Sequence, residues 1–419
     1  MNFFFHLNEI LLYFRPLFNR QNFALFSACI IGLIFYPGRK TVTGLYQGSR
    51  PKSRYWSLLK FLSRGTWDSD AVAKKLLNVL QAHFKNWVYV YDETHTTKTG
   101  KSQFGLHFFR NYRYQKRNRN QSKFHWGHQF AALGMKCMTA GQTLLFPVWV
   151  KMLLPGDVAL NRLAVLEAIL SQIPVGLIIF DRGFNNRKVF KILLSAGHHL
   201  LCRAKSNAVF YSLPKPKEQP KRGRKKKYGK RVYIPKMRFG EIGIDGQSLS
   251  VASAIVRTKM CPKPVRLVVK RTKPKKGKPY RYFMVYTTDL LLPLETILRY
   301  YRCRWELETA FRDAKQNLGF DAYQVQSEKS ISRFVQLSFV AASLTQWLFV
   351  QPHSAFPKIT VEEVLETLGI HWYHPKKLTR GLMQVYLRYL FFWNRFSATK
   401  AIEPFSRKIG QRSDNTLSP

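Results

Sequence analysis

Two short apolar runs in this chain each stop at an aspartate. Trp87-Val88-Tyr89-Val90-Tyr91 is β-branched and aromatic and finishes at Asp92, and Val175-Gly176-Leu177-Ile178-Ile179-Phe180 runs straight into Asp181. Runs of that length and composition read as buried strands, whose rigid backbones can fix the direction of an acid at their ends. An Asp so placed can equally be a turn former or the N-cap of a following helix. Asp181, ahead of Asn185-Asn186-Arg187-Lys188, can serve in that way alone. Glu93 is the nearest competitor to Asp92 for any ligand role.

A third acid comes with helical spacing. Tyr301, Arg304, Glu308 and Lys315 stand at offsets 0, 3, 7 and 14, which a rotation of about 100° per residue places at roughly 0°, 300°, 340° and 320°. All four side chains therefore share one narrow face, with Glu306 near roughly 140° and Asp313 near roughly 120° on the far side. A carboxylate among Arg, Lys and Tyr suits metal-assisted phosphodiester chemistry, because the acid can hold a divalent cation while its neighbours grip phosphate oxygens. A solvated helix face laced with ion pairs has the same composition.

Charge points to a polyanionic partner. Sixty-nine Lys and Arg against 23 Asp and Glu leave a formal charge of +46 over 419 residues, a field that draws a chain toward nucleic acid. With 46% hydrophobic residues, this length builds two or three packed domains, well beyond a basic tail. The charge is concentrated in 215–231, KPKEQPKRGRKKKYGKR, and again in 270–278; both stretches resist packing and read as mobile loops suited to phosphate contact or to nonspecific tethering. Five scattered cysteines, Cys29, Cys137, Cys202, Cys261 and Cys303, show no zinc spacing and fit a reducing cytoplasm without a disulfide framework. His125 and His128 read as structural. The apolar stretch from Phe23 to Tyr36 is too short to cross a bilayer as a helix and reads as a buried helix, so no membrane association is expected.

Tyr301, Arg304, Glu308 and Lys315 match without a gap the Tyr-x2-Arg-x3-Glu-x6-Lys signature of IS4-type DDE transposases, and Asp181-Arg182-Gly183-Phe184 resembles the second acidic motif of that family. Three acids in the expected order and contexts are hard to reach by chance in a chain this poor in acid. A further likeness lies between Asp181 and Glu308. There the chain exceeds what a compact core needs, and 206–279 alternates apolar and polar residues between Gly and Pro turns, as in Arg231-Val232-Tyr233-Ile234, Leu249 to Val256 and Val265 to Val269. It resembles the β-rich insertion that IS4-type enzymes carry at that position.

The resemblance implies an α/β fold, an RNase H-like mixed sheet flanked by helices. Residues 1–84 are expected as a helical, DNA-recognising module holding Arg39-Lys40-Thr41, 85–325 as the catalytic domain, and 326–419 as a helical C-terminal region with a disordered tail. Within the core, strands are expected over Phe104 to Tyr114, Phe124 to Met135, Leu144 to Leu154, His199 to Ala204 and Tyr280 to Thr288. Helices are expected over Ala159 to Ile173, Arg187 to Ala196, Ile331 to Val350, Leu378 to Phe396, and from Pro293 through Glu308. The resemblance further implies that Asp92, Asp181 and Glu308 coordinate two Mg²⁺, or Mn²⁺, ions. Tyr301, Arg304, Lys315 and Arg182 would contact DNA, the partners being the element's terminal inverted repeats, the target DNA and a second copy of the chain. A non-transposing RNase H-like nuclease, or a basic DNA-binding protein from an inactive element, are the rival classes.

Overall fold

The computed structural model describes residues 3–110, 122–139, 142–216, 222–272, 279–350, 360–376 and 378–398. The chain opens with five helices, α1 (Phe3–Leu12), α2 (Arg20–Phe35), α3 (Val42–Ser49), α4 (Tyr55–Ser63) and α5 (Ser69–His83). The apolar stretch expected as a buried helix is α2, with Phe26, Cys29, Ile30, Leu33 and Ile34 fully enclosed. No helix among the described residues is long and apolar enough to cross a membrane. Helix α5 starts where Asp68 accepts a hydrogen bond from the Ala71 amide, satisfying a first-turn donor that the helix cannot. Its stripe of Val72, Leu76, Val79 and Leu80 is buried.

Strands follow: β1 (Trp87–Lys98), β2 (His107–Arg110), β3 (Phe124–Thr139) and β4 (Gln142–Leu153). The helix α6 (Val158–Leu170) leads to β5 (Leu177–Phe180), then α7 (Arg187–Ser195) leads to β6 (His199–Arg203). After these come β7 (Phe210–Tyr211), β8 (Gly240–Ile244), β9 (Gln247–Thr258), β10 (Cys261–Thr272) and β11 (Arg281–Thr287). The last elements are helices α8 (Leu294–Arg302), α9 (Arg304–Asn317), α10 (Glu328–Val350), α11 (Val361–Leu368) and α12 (Arg380–Ala398). All the described strands join one mixed sheet in the order β2-β3-β1-β5-β6-β11-β10-β9-β7, with β4 also paired to β3 and β8 to β9. The α/β class expected from the sequence is the class observed.

Four local expectations change. Strand β1 does not stop at Asp92: its antiparallel ladder with β3 runs on from Asp92 opposite Ala132 to Lys98 opposite Trp126. The threonines there are strand formers, Thr94 and Thr96 buried and His95 and Thr97 exposed. The expected strand from Phe104 begins only at His107, and its last residues, 111–114, lie outside the described residues. Arg231-Val232-Tyr233-Ile234 contributes a single bridge, Arg231 to Tyr211, and no strand. The helix opened by Pro293 is broken at Cys303, which separates α8 from α9. Parts of both basic stretches and the C-terminal tail lie outside the described residues.

The long segment between β6 and β11 is not a separate sheet. Strand β10 pairs with β11 over seven residues, Arg266 opposite Thr287 through Thr272 opposite Arg281, and β11 pairs in turn with β6. The central sheet is extended outward by the segment. A single cluster of buried apolar residues runs from Leu7 of α1 through the sheet to Leu387 of α12. Val364, Leu365, Leu382 and Met383 form a small second cluster between α11 and α12.

Candidate active site

The geometry starts with one stretch of parallel pairing. Strands β1 and β5 lie side by side with Tyr89 opposite Ile178, Val90 opposite Ile179 and Tyr91 opposite Phe180. The next residue on each is the aspartate, so Asp92 and Asp181 leave the parallel ladder together, Asp181 at the carboxyl end of β5 and Asp92 where β1 runs on beside β3 alone. That is the edge at which open α/β sheets build their sites. Below the acids, Tyr91, Phe180 and Phe184 pack ring against ring and make the floor rigid.

Glu308 arrives from α9, and Arg304, one turn earlier on that helix, joins all three acids. Its Nη1 lies 3.2 Å from Asp92 Oδ2 and 2.7 Å from Glu308 Oε1, and its Nε lies 3.7 Å from Asp181 Oδ1. The hydroxyl of Tyr301 donates to Asp181 Oδ1 at 3.4 Å. Lys315 Nζ donates at 2.8 Å to both Thr94 Oγ1 and the His95 carbonyl, binding the far end of α9 to the continuation of β1. Tyr301 and Arg304 thus reach the aspartates, and Lys315 reaches β1 just beyond Asp92, despite the break at Cys303. Arg182 stands exposed in the turn after Asp181 and makes no ion pair among the described residues.

Burial pushes the Asp92 carboxyl up to about 6, and the neighbouring Asp181 and Glu308 carboxylates add to that push. The Glu93 amide, 2.8 Å from Oδ1, and Arg304 oppose it. Burial lowers the Arg304 pKa, but the three carboxylates outweigh it and leave the guanidinium more firmly charged than usual. Burial, then the charge of Asp181, raises the Tyr301 phenol, which stays a hydrogen-bond donor. Glu93 points away from this cluster into a different one, where Arg162 Nη2 at 2.6 Å and Gln129 Nε2 at 2.6 Å hold Oε2.

Among the described residues no three His, Cys, Asp or Glu side chains are clustered closely enough to hold a metal ion as they stand. The three carboxylates converge instead on the Arg304 guanidinium. The donor set still fits a hard divalent cation, for it consists of carboxylate oxygens, and a cation would relieve the repulsion that Arg304 now offsets. Sequence reasoning saw Arg304 only as a grip for phosphate. Its place among the acids, the Thr94 contact of Lys315, and the pairing of buried Lys136 of β3 with Glu306 of α9 were missed. Residues 92–98 are all polar, so only the β-forming tendency of Thr94, Thr96 and Thr97 could have signalled Thr94.

Two aspartates just past the parallel pairing of adjacent central strands, with a later helix supplying a glutamate, fit an RNase H-like core. The chain matches the family described as the transposase DDE domain over residues 83–344, more than half its length, and it belongs to that family. No curated protein matches it. The family makes this an enzyme of the transposase type, acting on DNA.

Proposed function

We propose that the protein is an IS4-type transposase that cuts DNA at the ends of an insertion sequence and transfers the freed 3′-OH into target DNA. The observation that carries this reading is the convergence of Asp92, Asp181 and Glu308 on one guanidinium. Asp92, Asp181 and Glu308 would hold two Mg²⁺ or Mn²⁺ ions. Bound there, the ions supply activation of the attacking oxygen and neutralisation of the leaving one. Arg304, freed from the acids, presents a planar fork to phosphate oxygens, and Lys315 adds a point charge one helix end away. Tyr301 fixes the orientation of Asp181 by donating to it. Arg182 is exposed and free to meet the strand beside Asp181. The inverted repeats and target DNA are the partners, and the pairing of two element ends calls for a homodimer.

The test is cleavage of DNA carrying the element's ends by the wild type and by Glu308→Gln in the presence of Mg²⁺. Cutting at the element boundary that disappears in Glu308→Gln, with DNA binding retained, supports the reading. Binding without cutting in the wild type moves the protein to the class of DNA-binding proteins from inactive elements.

A further inference from the structure

The helical face that carries Glu308 ends in a cavity that none of the roles above uses. It has a volume of about 390 Å³ and is lined by residues from four parts of the chain. Arg39 and Lys40 come from the link between α2 and α3, Lys315 and Gly319 from the end of α9, Thr97 from β1, and Arg388 from α12. Asp321 also lines it, so four cations face one carboxylate.

Two of those cations are oddly placed. Lys40 is only 5% exposed, and its ammonium donates to the Tyr36 carbonyl. Arg388, half-buried, donates to the carbonyls of Ile34 at 3.4 Å and Asn317 at 3.2 Å. Neither makes an ion pair among the described residues. Withdrawing two like charges from water without a counter-ion is costly. The cost is visible: burial, and then the Arg388 charge, bring the Lys40 ammonium down to about 7. The close approach is built in as well. Gly319 has φ of 71°, and a Cβ there would come within 2.5 Å of the Lys40 Cβ, so only glycine lets the turn after α9 close over the lysine.

A doubly or singly charged anion with several acceptor oxygens satisfies this lining, and the cavity shares β1 with the acids. Thr94, bonded to Lys315, lies two residues beyond Asp92 on β1. Thr97 lies five residues beyond it, about 16 Å along an extended strand. We propose that the cavity is a phosphate subsite that takes a backbone phosphate of the DNA strand running from the carboxylate cluster toward the N-terminal helices, with Arg39 and Arg388 as the guanidinium donors and Lys40 as the buried charge. The proposal rests on the transposase reading for its source of phosphate. It joins the first helices, the catalytic helix and α12 through one ligand, which none of them could bind alone.

The test measures affinity of the full chain for a labelled DNA duplex across a sodium chloride series, for the wild type, Arg39→Gln and Lys191→Gln. Arg39 is exposed, so its loss leaves the core intact, and Lys191 is an exposed cation of α7 outside the cavity. Each phosphate contact contributes about 0.7–0.9 to the slope of log affinity against log salt. The expected result is a slope shallower by about that amount in Arg39→Gln and unchanged in Lys191→Gln. A parallel arm adds inorganic phosphate to the protein alone and follows thermal melting, with chloride at equal ionic strength as reference. Phosphate should protect the wild type and lose that effect in Arg39→Gln. A wild-type slope in Arg39→Gln overturns the proposal, and persistent protection by phosphate beside it makes the cavity a free-anion site only. Binding is read here without cleavage. A lost slope in a protein that cuts nothing therefore keeps the subsite and rejects the transposase reading, and an unchanged slope in a protein that cuts does the reverse.

Discussion

Lys136, with its side chain wholly buried in β3, pairs with Glu306 of α9, two residues from Glu308 and about 200° around the helix. The pair pins the back of the helix to the sheet while Glu308 faces the aspartates. Removing the acid alone strands a buried ammonium, and breaking such a pair costs about 3 kcal/mol or more. Glu306→Leu should therefore lower stability in denaturant unfolding by about 3 kcal/mol. The double variant Lys136→Met with Glu306→Leu should regain most of it, because both charges are then gone. A double variant no better than the single would show that the pair has no such pinning role.

Arg304 pairs with all three carboxylates, and under the proposed metal-dependent reading it holds the charge position of a divalent cation. Replacing it with Gln should destabilise the metal-free protein, since three carboxylates then share no cation. It should also enlarge the rise in melting temperature on adding Mg²⁺ relative to the wild type. Cleavage should fall in the same variant, because the fork for phosphate is lost. An equal Mg²⁺ shift in both proteins would mean that the guanidinium and the ion do not compete.

The raised Asp92 carboxyl gives stability a sign with pH. Its folded value of about 6 lies above the ordinary 3.8, so the native state binds this proton more tightly than the unfolded chain. The stabilisation is full below pH about 4 and is lost as pH rises to about 6. In metal-free buffer Asp92→Asn should match the wild type near pH 4 and exceed it by about 2–3 kcal/mol above pH 6, one pKa unit being about 1.4 kcal/mol. Mg²⁺ should narrow that gap by stabilising the wild type. Denaturant unfolding at the two pH values with and without Mg²⁺ reads both effects.

What the sequence made legible was local. The apolar runs announce β1 and β5, and the spacing from Tyr301 to Lys315 announces a helix face, because period and composition act within a few residues. What it hid depended on partners. The run from Trp87 reads as finishing at Asp92 until β3 lies beside it and keeps the ladder going to Lys98. A helical wheel puts Glu306 opposite Glu308 but cannot say that the far face meets a buried lysine rather than water. Helix α11 escaped notice although Thr360 and Glu363 cap it reciprocally, a spacing that is visible in sequence. The part played by Arg304 was hidden for a different reason, since two of the three acids that define it, Asp92 and Asp181, are remote in sequence.

Arg333 supplies the remaining prediction. Only 2% exposed in α10, it donates to the carbonyls of Phe61 at 3.2 Å, Leu62 at 3.0 Å and Gly65 at 2.6 Å, and to that of Trp67. Its guanidinium carbon also lies 4.4 Å from the Trp67 ring centroid. These carbonyls belong to the end of α4 and the loop before α5, whose helix-terminal acceptors have no partner within their own helix. One planar fork satisfies four of them and docks the first helices onto the core. Arg333→Met keeps the bulk and removes the donor to the Leu62, Gly65 and Trp67 carbonyls, while Phe61 keeps the Trp67 indole N–H at 2.9 Å, at about 1–3 kcal/mol for each carbonyl left unsatisfied that water cannot reach. Arg333→Lys has three donors at a single nitrogen and cannot span the same acceptors. Both variants should unfold at lower denaturant, Met more than Lys, and limited proteolysis should open first between Ser63 and Ser69. Cleavage beginning elsewhere, with wild-type stability, would mean that packing alone holds the N-terminal helices in place.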